Sequence, residues 1–287
     1  VTAILVNLVL NYWLIFGRLG LPRLEVRGAD VATVVSRFVE LCVVLTWVLT
    51  HAERCPFFRG ALGSLRIPGS LALRIVKVGT PLFANEFLWS LGMTVINQCY
   101  STRGLSSVAA VNITMTISNL FAIVMMASGT AISIMVGQAL GSGDKQAARE
   151  LDTKLIFTAL AANTAVAAVL FAFSGAIPRL YNVEDSVRTL ASSLLRLEAV
   201  YFPMGAVITA VYFTIRSGGK TVITFLFDSF YTWVVPVSLA YCLSRFTSMD
   251  VLGMFFLVRA IDVIKLVIGL SMLRRDFWLN DMVHDLS

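Results

Sequence analysis

The sequence predicts an all-α integral membrane protein with eight transmembrane helices, and three observations carry that expectation. Hydrophobic residues make up 57% of the chain and charged residues only 14%, where soluble domains carry about 25% charged residues. Mean hydropathy is +0.82. The apolar stretches are continuous and mostly close to the ~20 residues that span a bilayer, whereas barrel strands would alternate in polarity.

Taken in order, the spans are 1–16, 29–49, 79–100, 108–140, 153–177, 190–215, 222–243 and 251–273. The first begins inside an apolar run at Val1 with neither Met nor a charged leader segment, and reads as a truncated helix. The fourth is long enough to project from the membrane. Most connections are short. The exception is residues 51–77, with two prolines and several basic residues, which reads as a linker with an interfacial helix near its end. Twelve Lys and Arg lie on the linker's side of the spans and seven on the other, with four inside spans. Positive loops stay inside, so the linker and the C-terminal tail are expected in the cytoplasm, with the chain in the cell's plasma membrane. Topology explains the basic excess without invoking nucleic acid.

An internal repeat supports this division. VTAILVNLVLNYWL from Val1 lies over VITFLFDSFYTWVV from Val222, setting Asn7 against Asp228. The following helices set Arg37 against Arg259 and Glu40 against Asp262, at an offset of 221 to 222 residues. The offset spans six helices, an even number, so both copies keep one orientation, as in a parallel repeat. The counterparts of 78–215 are then expected before residue 1, roughly 140–160 residues or about four helices.

The candidate functional residues start with Glu86, about a third of the way into the third span. A carboxylate at that depth costs at least ~2.5–3.5 kcal/mol, so it must face protein or water. Ser90, Met93 and Asn97 share its stripe at helical spacing. No base lies within a turn of it. That suits exchange of a proton or sodium ion; the plainer alternative is an acid neutralised by a base on another helix, such as Arg196. Asp228 and Glu198 are candidate second carboxylates, beside Tyr231 and beside Tyr201 and Tyr212. Aromatic rings near acids suit organic cations and are equally ordinary membrane packing. Asn112, Thr116 and Asn119 run along the fourth span with Met126, either as interhelical glue or as the lining of a path. Arg37 with Glu40, and Arg259 with Asp262, are i,i+3 pairs expected to neutralise one another structurally, with Lys265 near the second.

Other chemistries find little support. Cys42, Cys55, Cys99 and Cys242 are scattered, and His51 and His284 fall in loops, so no metal site is expected. SGGKT at 217–221 ends like a P-loop, but Thr214 stands where its first glycine belongs. GSGD at 141–144 lacks both a preceding strand and the GxGxxG spacing. Neither suggests ATP. A channel would need a filter or charge ring, and a membrane enzyme clustered His, Cys or a Ser/Lys pair within spans.

Several segments together resemble one family. GQALGSGDKQAA (137–148) is similar to the signature loop of the multidrug and toxic compound extrusion (MATE) transporters. PLFANEFLWSLG (81–92) resembles their seventh helix, acid included. NYWLIFGRLGLPRLEVRGADVAT (11–33) resembles the link between helices five and six, and IRSGGKT (215–221) the loop after helix ten. The resemblance implies twelve helices in two six-helix lobes. Residues 1–50 would be the last two helices of the N-terminal lobe, 51–77 the interlobe linker and 78–287 a complete C-terminal lobe. It also implies antiport of small organic, cationic compounds against Na+ or H+ by alternating access, without organic cofactor, ATP or nucleic acid, by a monomer. The alternative is a flippase of the same superfamily that moves lipid-linked sugars, which would want a more basic cavity. Two departures stand out: Lys220 occupies a position where members often have Asp, and no acid occurs at Gly205, where some members carry one in the tenth helix.

Overall fold

A computed structural model describes residues 2–17, 24–51, 53, 68–276 and 278–279. The described chain is all-α, with no strand among those residues. It divides into two units, Val1–Ala72 and Leu73–Ser287.

The first unit is a helical hairpin. Helix α1 (Thr2–Phe16) packs antiparallel to α2 (Glu25–Thr50). The Leu24 amide donates to the Leu14 carbonyl at 2.9 Å, and further along Asn7 donates to Ser36 at 3.3 Å. Arg37 and Glu40 form the expected i,i+3 pair at 2.7 Å, exposed on α2. Most of the expected linker, including Cys55, and the C-terminal tail with His284 lie outside the described residues.

Helix α3 (Gly69–Ser101) runs from the end of the first unit into the second and starts ten residues before the expected span at 79. The Pro68 carbonyl accepts the amides of Leu71 and Ala72 and closes its first turn. Hydropathy sets a membrane boundary, but a helix can run past that boundary into polar sequence such as Arg74 and Lys77. The same reasoning covers α5 (Lys145–Phe173), which begins before the expected 153. Gly143 takes a φ of 81° that suits glycine. Asp144 then caps α5 by accepting the Ala147 amide at 2.9 Å. Before it, α4 (Leu105–Gly141) has 37 residues, about 55 Å of helix, well beyond the ~30 Å hydrocarbon core. A short 3-10 turn (Ile177–Leu180) leads to α6 (Asp185–Ser217), which carries Pro203 internally.

The last helices depart from regular geometry. Helix α7 (Thr221–Phe246) contains two π-type stretches, Leu226–Phe230 and Trp233–Val237. Pro236 in the second has no N–H to give an α-helical ladder. The expected span 251–273 is two segments, α8 (Val251–Ala260) and α9 (Asp262–Arg274), meeting at Ile261. The Tyr231 hydroxyl donates to the Ile261 carbonyl at 2.9 Å and satisfies a backbone acceptor at the break.

Five helices of the described residues combine enough length and hydropathy to cross a bilayer: Arg27–Thr50 within α2, and α4, α5, α6 and α7. Helix α6 is central to the second unit, packing its buried Leu194, Leu195, Ala199 and Val211 against neighbours on several sides. Its approach to α4 depends on Gly129, where a Cβ would overlap the Phe213 ring. Gly129→Ala is therefore expected to destabilise by about 1–3 kcal/mol, and Phe213→Ala combined with it should recover part of that loss. Thermal unfolding of the detergent-solubilised single and double variants checks this; additive losses would refute the contact.

Candidate functional site

Two features of the second unit bring charged side chains from different helices together. The first is a hydrogen-bonded chain that crosses four helices. Glu86 on α3 accepts from Arg216 Nη1 and from Tyr212 Oη on α6, both at 3.2 Å. The adjacent Asn85, fully buried, donates through Nδ2 to Tyr212 Oη at 3.2 Å and to Asp228 Oδ2 on α7 at 3.1 Å. Asp228 Oδ1 accepts from Lys265 Nζ on α9 at 2.7 Å. Asn85 and Glu86 are consecutive, so they point about 100° apart around α3. One thus reaches inward to α7 while the other meets α6, with Tyr212 between them.

The first π-type stretch belongs to this arrangement. The Ser229 amide donates to Asn85 Oδ1 at 3.2 Å, and its hydroxyl lies 2.6 Å from the Asn85 carbonyl oxygen and 2.8 Å from Oδ1. A wide helical turn leaves backbone groups in need of partners, and Asn85 supplies them from across the interface. Asp228 is held in the same stretch.

The second feature is a cavity of about 780 Å³ bounded by α3, α4, α6, α8 and α9. Its walls are mainly apolar and soft. Trp89, Tyr201, Phe202 and Phe255 supply rings, and Met93, Met115, Met125, Met126 and Met204 supply thioethers that repack readily around different shapes. Its charged residues are Glu198, Arg259 and Asp262. Arg259 Nη2 donates to Glu198 Oε1 at 2.8 Å and lies 5.3 Å from the centre of the Phe255 ring. A smaller cavity of about 130 Å³ shares Trp89, Met93, Arg259 and Asp262 with the large one and adds Lys265, the residue that donates to Asp228.

The expected residues fall into three groups. Met93, Asn97, Asn119, Glu198, Tyr201 and Asp262 line the large cavity together with Arg259. Glu86, Tyr212 and Asp228 belong to the hydrogen-bonded chain, and Tyr231 serves the helix break. Ser90, Asn112 and Thr116 are exposed; the Thr116 hydroxyl donates to the Asn112 carbonyl of its own helix at 2.9 Å.

One pairing needs correction. Arg259 bonds Glu198 and Lys265 bonds Asp228, so neither cation is paired with Asp262 as the i,i+3 spacing suggested. The Glu198 and Asp228 side chains are only 11% and 14% exposed. Removing a buried carboxylate's counter-charge is far costlier than leaving a neighbour on the same helix unbridged. Glu86 is likewise bridged by a base from another helix, and that base is Arg216. Asn85, Ser118 and Trp89 were not singled out by the sequence. Asn85 sits next to Glu86 on another face of the helix, and only its burial reveals it.

A helical bundle that holds charged side chains within membrane-spanning segments, beside a ligand-sized cavity, is the build of a membrane transport protein. The chain belongs to the MatE family, whose model matches residues 81–242, more than half of its length. It is 26% identical over 243 residues to the probable multidrug resistance protein NorM of Mannheimia succiniciproducens, covering 84% of this chain and 52% of that protein. It is 21% identical over 255 residues to the probable multidrug resistance protein YoeA of Bacillus subtilis, covering 89% and 55%. The fold matches an outward-facing multidrug resistance MATE family transporter of the MOP superfamily with a TM-score of 0.81 at 20% identity, over 96% of this chain and 60% of that one. A MOP superfamily transporter from Pyrococcus furiosus matches with a TM-score of 0.80 at 18% identity, over the same shares. The chain thus spans about half the length of these curated relatives. As a MATE family member it is a multi-pass membrane protein of a family of transporters rather than enzymes.

Proposed function

We propose that this chain is part of a secondary antiporter that exports small organic compounds, cationic ones in particular, in exchange for Na+ or H+ by alternating access. The observation that carries this reading is the chain Glu86–Tyr212–Asn85–Asp228–Lys265, which ties an accessible acid to buried charges beside the cavity. A cation arriving at Glu86 competes with Arg216 and Tyr212 for the carboxylate, and the freed donors then reorient α6 relative to α3. Coupling requires only that the cation bind the two arrangements with different affinity. Asp228 is the second carboxylate of this station, while Glu198 belongs to the substrate cavity. The soft lining suits ligands of varied shape.

In the same reading residues 1–50 belong to one lobe and 78–287 to the other, joined by a cytoplasmic linker over 51–77. A single full-length chain works as a monomer, with ion gradients in place of ATP and with no organic cofactor or nucleic acid. The cavity's charged lining, two acids and one base, favours cation export over the movement of lipid-linked sugars.

The test is transport by the full-length protein in proteoliposomes loaded with ethidium. Export should follow an imposed Na+ or H+ gradient and stop when the matching ionophore collapses it. Export that survives collapse of both gradients, or that requires ATP, would overturn the proposal.

A further inference from the structure

Around the cavities of the second unit, three acids share two bases. Arg259 Nη2 donates to Glu198 at 2.8 Å, and Lys265 Nζ donates to Asp228 at 2.7 Å. Asp262 stands between the two bases in sequence, and among the described residues nothing hydrogen-bonds or ion-pairs with its side chain. Arg259 and Lys265 both attract it, yet each is committed to an acid on another helix. With every group ionised, three acids against two bases leave one net negative charge, and it rests on Asp262.

The carboxylate is turned toward the cavities. Asp262 lines the large cavity and the smaller one alike. The bases three residues before and three after it both reach inward to α6 and α7, whereas Val263 and Ile264 are exposed. Seven unpaired polar atoms of the described residues are shut off from water, and neither Asp262 oxygen is among them, so a ligand can reach the carboxylate. As the first residue of α9, Asp262 also lies at the positive end of that helix's dipole, which favours its charged form.

We infer that Asp262 receives the cationic head of the exported compound and is the residue by which the cavity selects positive charge. This inference rests on the export reading above and names the group that reads the charge. Glu198 is a weaker attractor, because Arg259 offsets it at hydrogen-bond distance. A cation brings Asp262 the counter-charge it lacks. A neutral molecule of the same shape covers the carboxylate and leaves it uncompensated, which is costly away from water. Trp89, which also lines both cavities, adds a ring that favours a cation.

The test uses rhodamine 123, a monocation, and rhodamine 110, which has a free carboxylate in place of the methyl ester and is net neutral at neutral pH. Binding to the full-length protein in detergent is measured by fluorescence anisotropy. Rhodamine 123 should bind roughly 10- to 100-fold more tightly. Asp262→Asn should bring the two dyes within about threefold of each other, and Asp262→Glu should keep most of the preference. Equal binding of the two dyes by the wild type overturns the inference, and this comparison stands even if Asp262→Asn fails to fold. A preference that survives in Asp262→Asn also overturns it, since another acid such as Glu198 then reads the charge. Binding of neither dye overturns it as well, while the export reading stands or falls separately on the ethidium assay above. Repeating the rhodamine 123 titration in sodium chloride and in choline chloride separates the coupling ion. Displacement by Na+ alone that disappears in Asp262→Asn would assign the carboxylate to the metal cation and overturn the inference.

Discussion

Glu86→Gln in the full-length protein is expected to insert and fold normally yet to lose ion-driven efflux by about 5- to 150-fold, the range of typical coupling free energies between sites. The side chain is 59% exposed and its partner Arg216 is 36% exposed, so the variant leaves no deeply buried orphan charge and stability should change little. Coupling should suffer far more. Glutamine still accepts from Tyr212 and Arg216, but it carries no net charge with which to exchange those donors for a cation. Glu86→Asp should keep part of the activity, with its charge intact and its reach shortened by one methylene. Efflux rates in proteoliposomes under an imposed Na+ or H+ gradient make the measurement. If Glu86→Gln exports at the wild-type rate with the same ion dependence, the acid is only structural and the coupling site lies elsewhere.

The largest loss of stability is expected from Asn85→Ala. Asn85 is 0% exposed and hydrogen-bonded to Tyr212, Asp228 and Ser229 at once. Its removal leaves Asp228 Oδ2 and the Ser229 amide short of partners in the interior, at about 1–3 kcal/mol for each orphaned group. Asn85→Asp should also destabilise, because it replaces the donor facing Asp228 with a second acid. Ser229→Ala should cost less, since the Ser229 amide keeps Asn85 Oδ1. The double variant Asn85→Ala/Ser229→Ala should lose less than the sum of the two, as expected of groups in one network. Thermal unfolding in detergent reads all four. A melting temperature for Asn85→Ala within about 2 °C of wild type would contradict the assigned network.

Glu86 and Asn85 also mark where sequence reasoning runs out. Placing Glu86 on a stripe that meets protein or water needs only the expense of an acid in lipid and the helical repeat, both visible in the sequence. Its partner Arg216 is 130 residues away on α6, and no periodicity within a helix reveals which residue of another helix stands opposite. The same limit misdirected Arg259 and Lys265 toward Asp262, because i,i+3 spacing is legible while the buried acids of α6 and α7 are not. Gly143 and Asp144, read in the sequence only as a failed nucleotide motif and as part of a signature loop, form the turn and the cap that start α5 at Lys145. Helix boundaries inferred from hydropathy came late for α3 and α5, since hydropathy marks where lipid begins and hydrogen bonding decides where the helix begins.

By itself, then, the sequence determined the all-α membrane class, the placement of most helices and, through its motifs, the family. Those properties follow from local hydrogen bonding, from the free energy of apolar transfer and from turn chemistry, all short-range along the chain. The tertiary structure alone decided the π-type stretches of α7, the break at Ile261, the charge pairs Glu86–Arg216, Glu198–Arg259 and Asp228–Lys265, and the cavity lined by Glu198, Arg259 and Asp262. Each of these depends on which side chain a second helix presents at a given depth, and that is settled only when the helices pack and every buried charge finds its counter-charge across the interface.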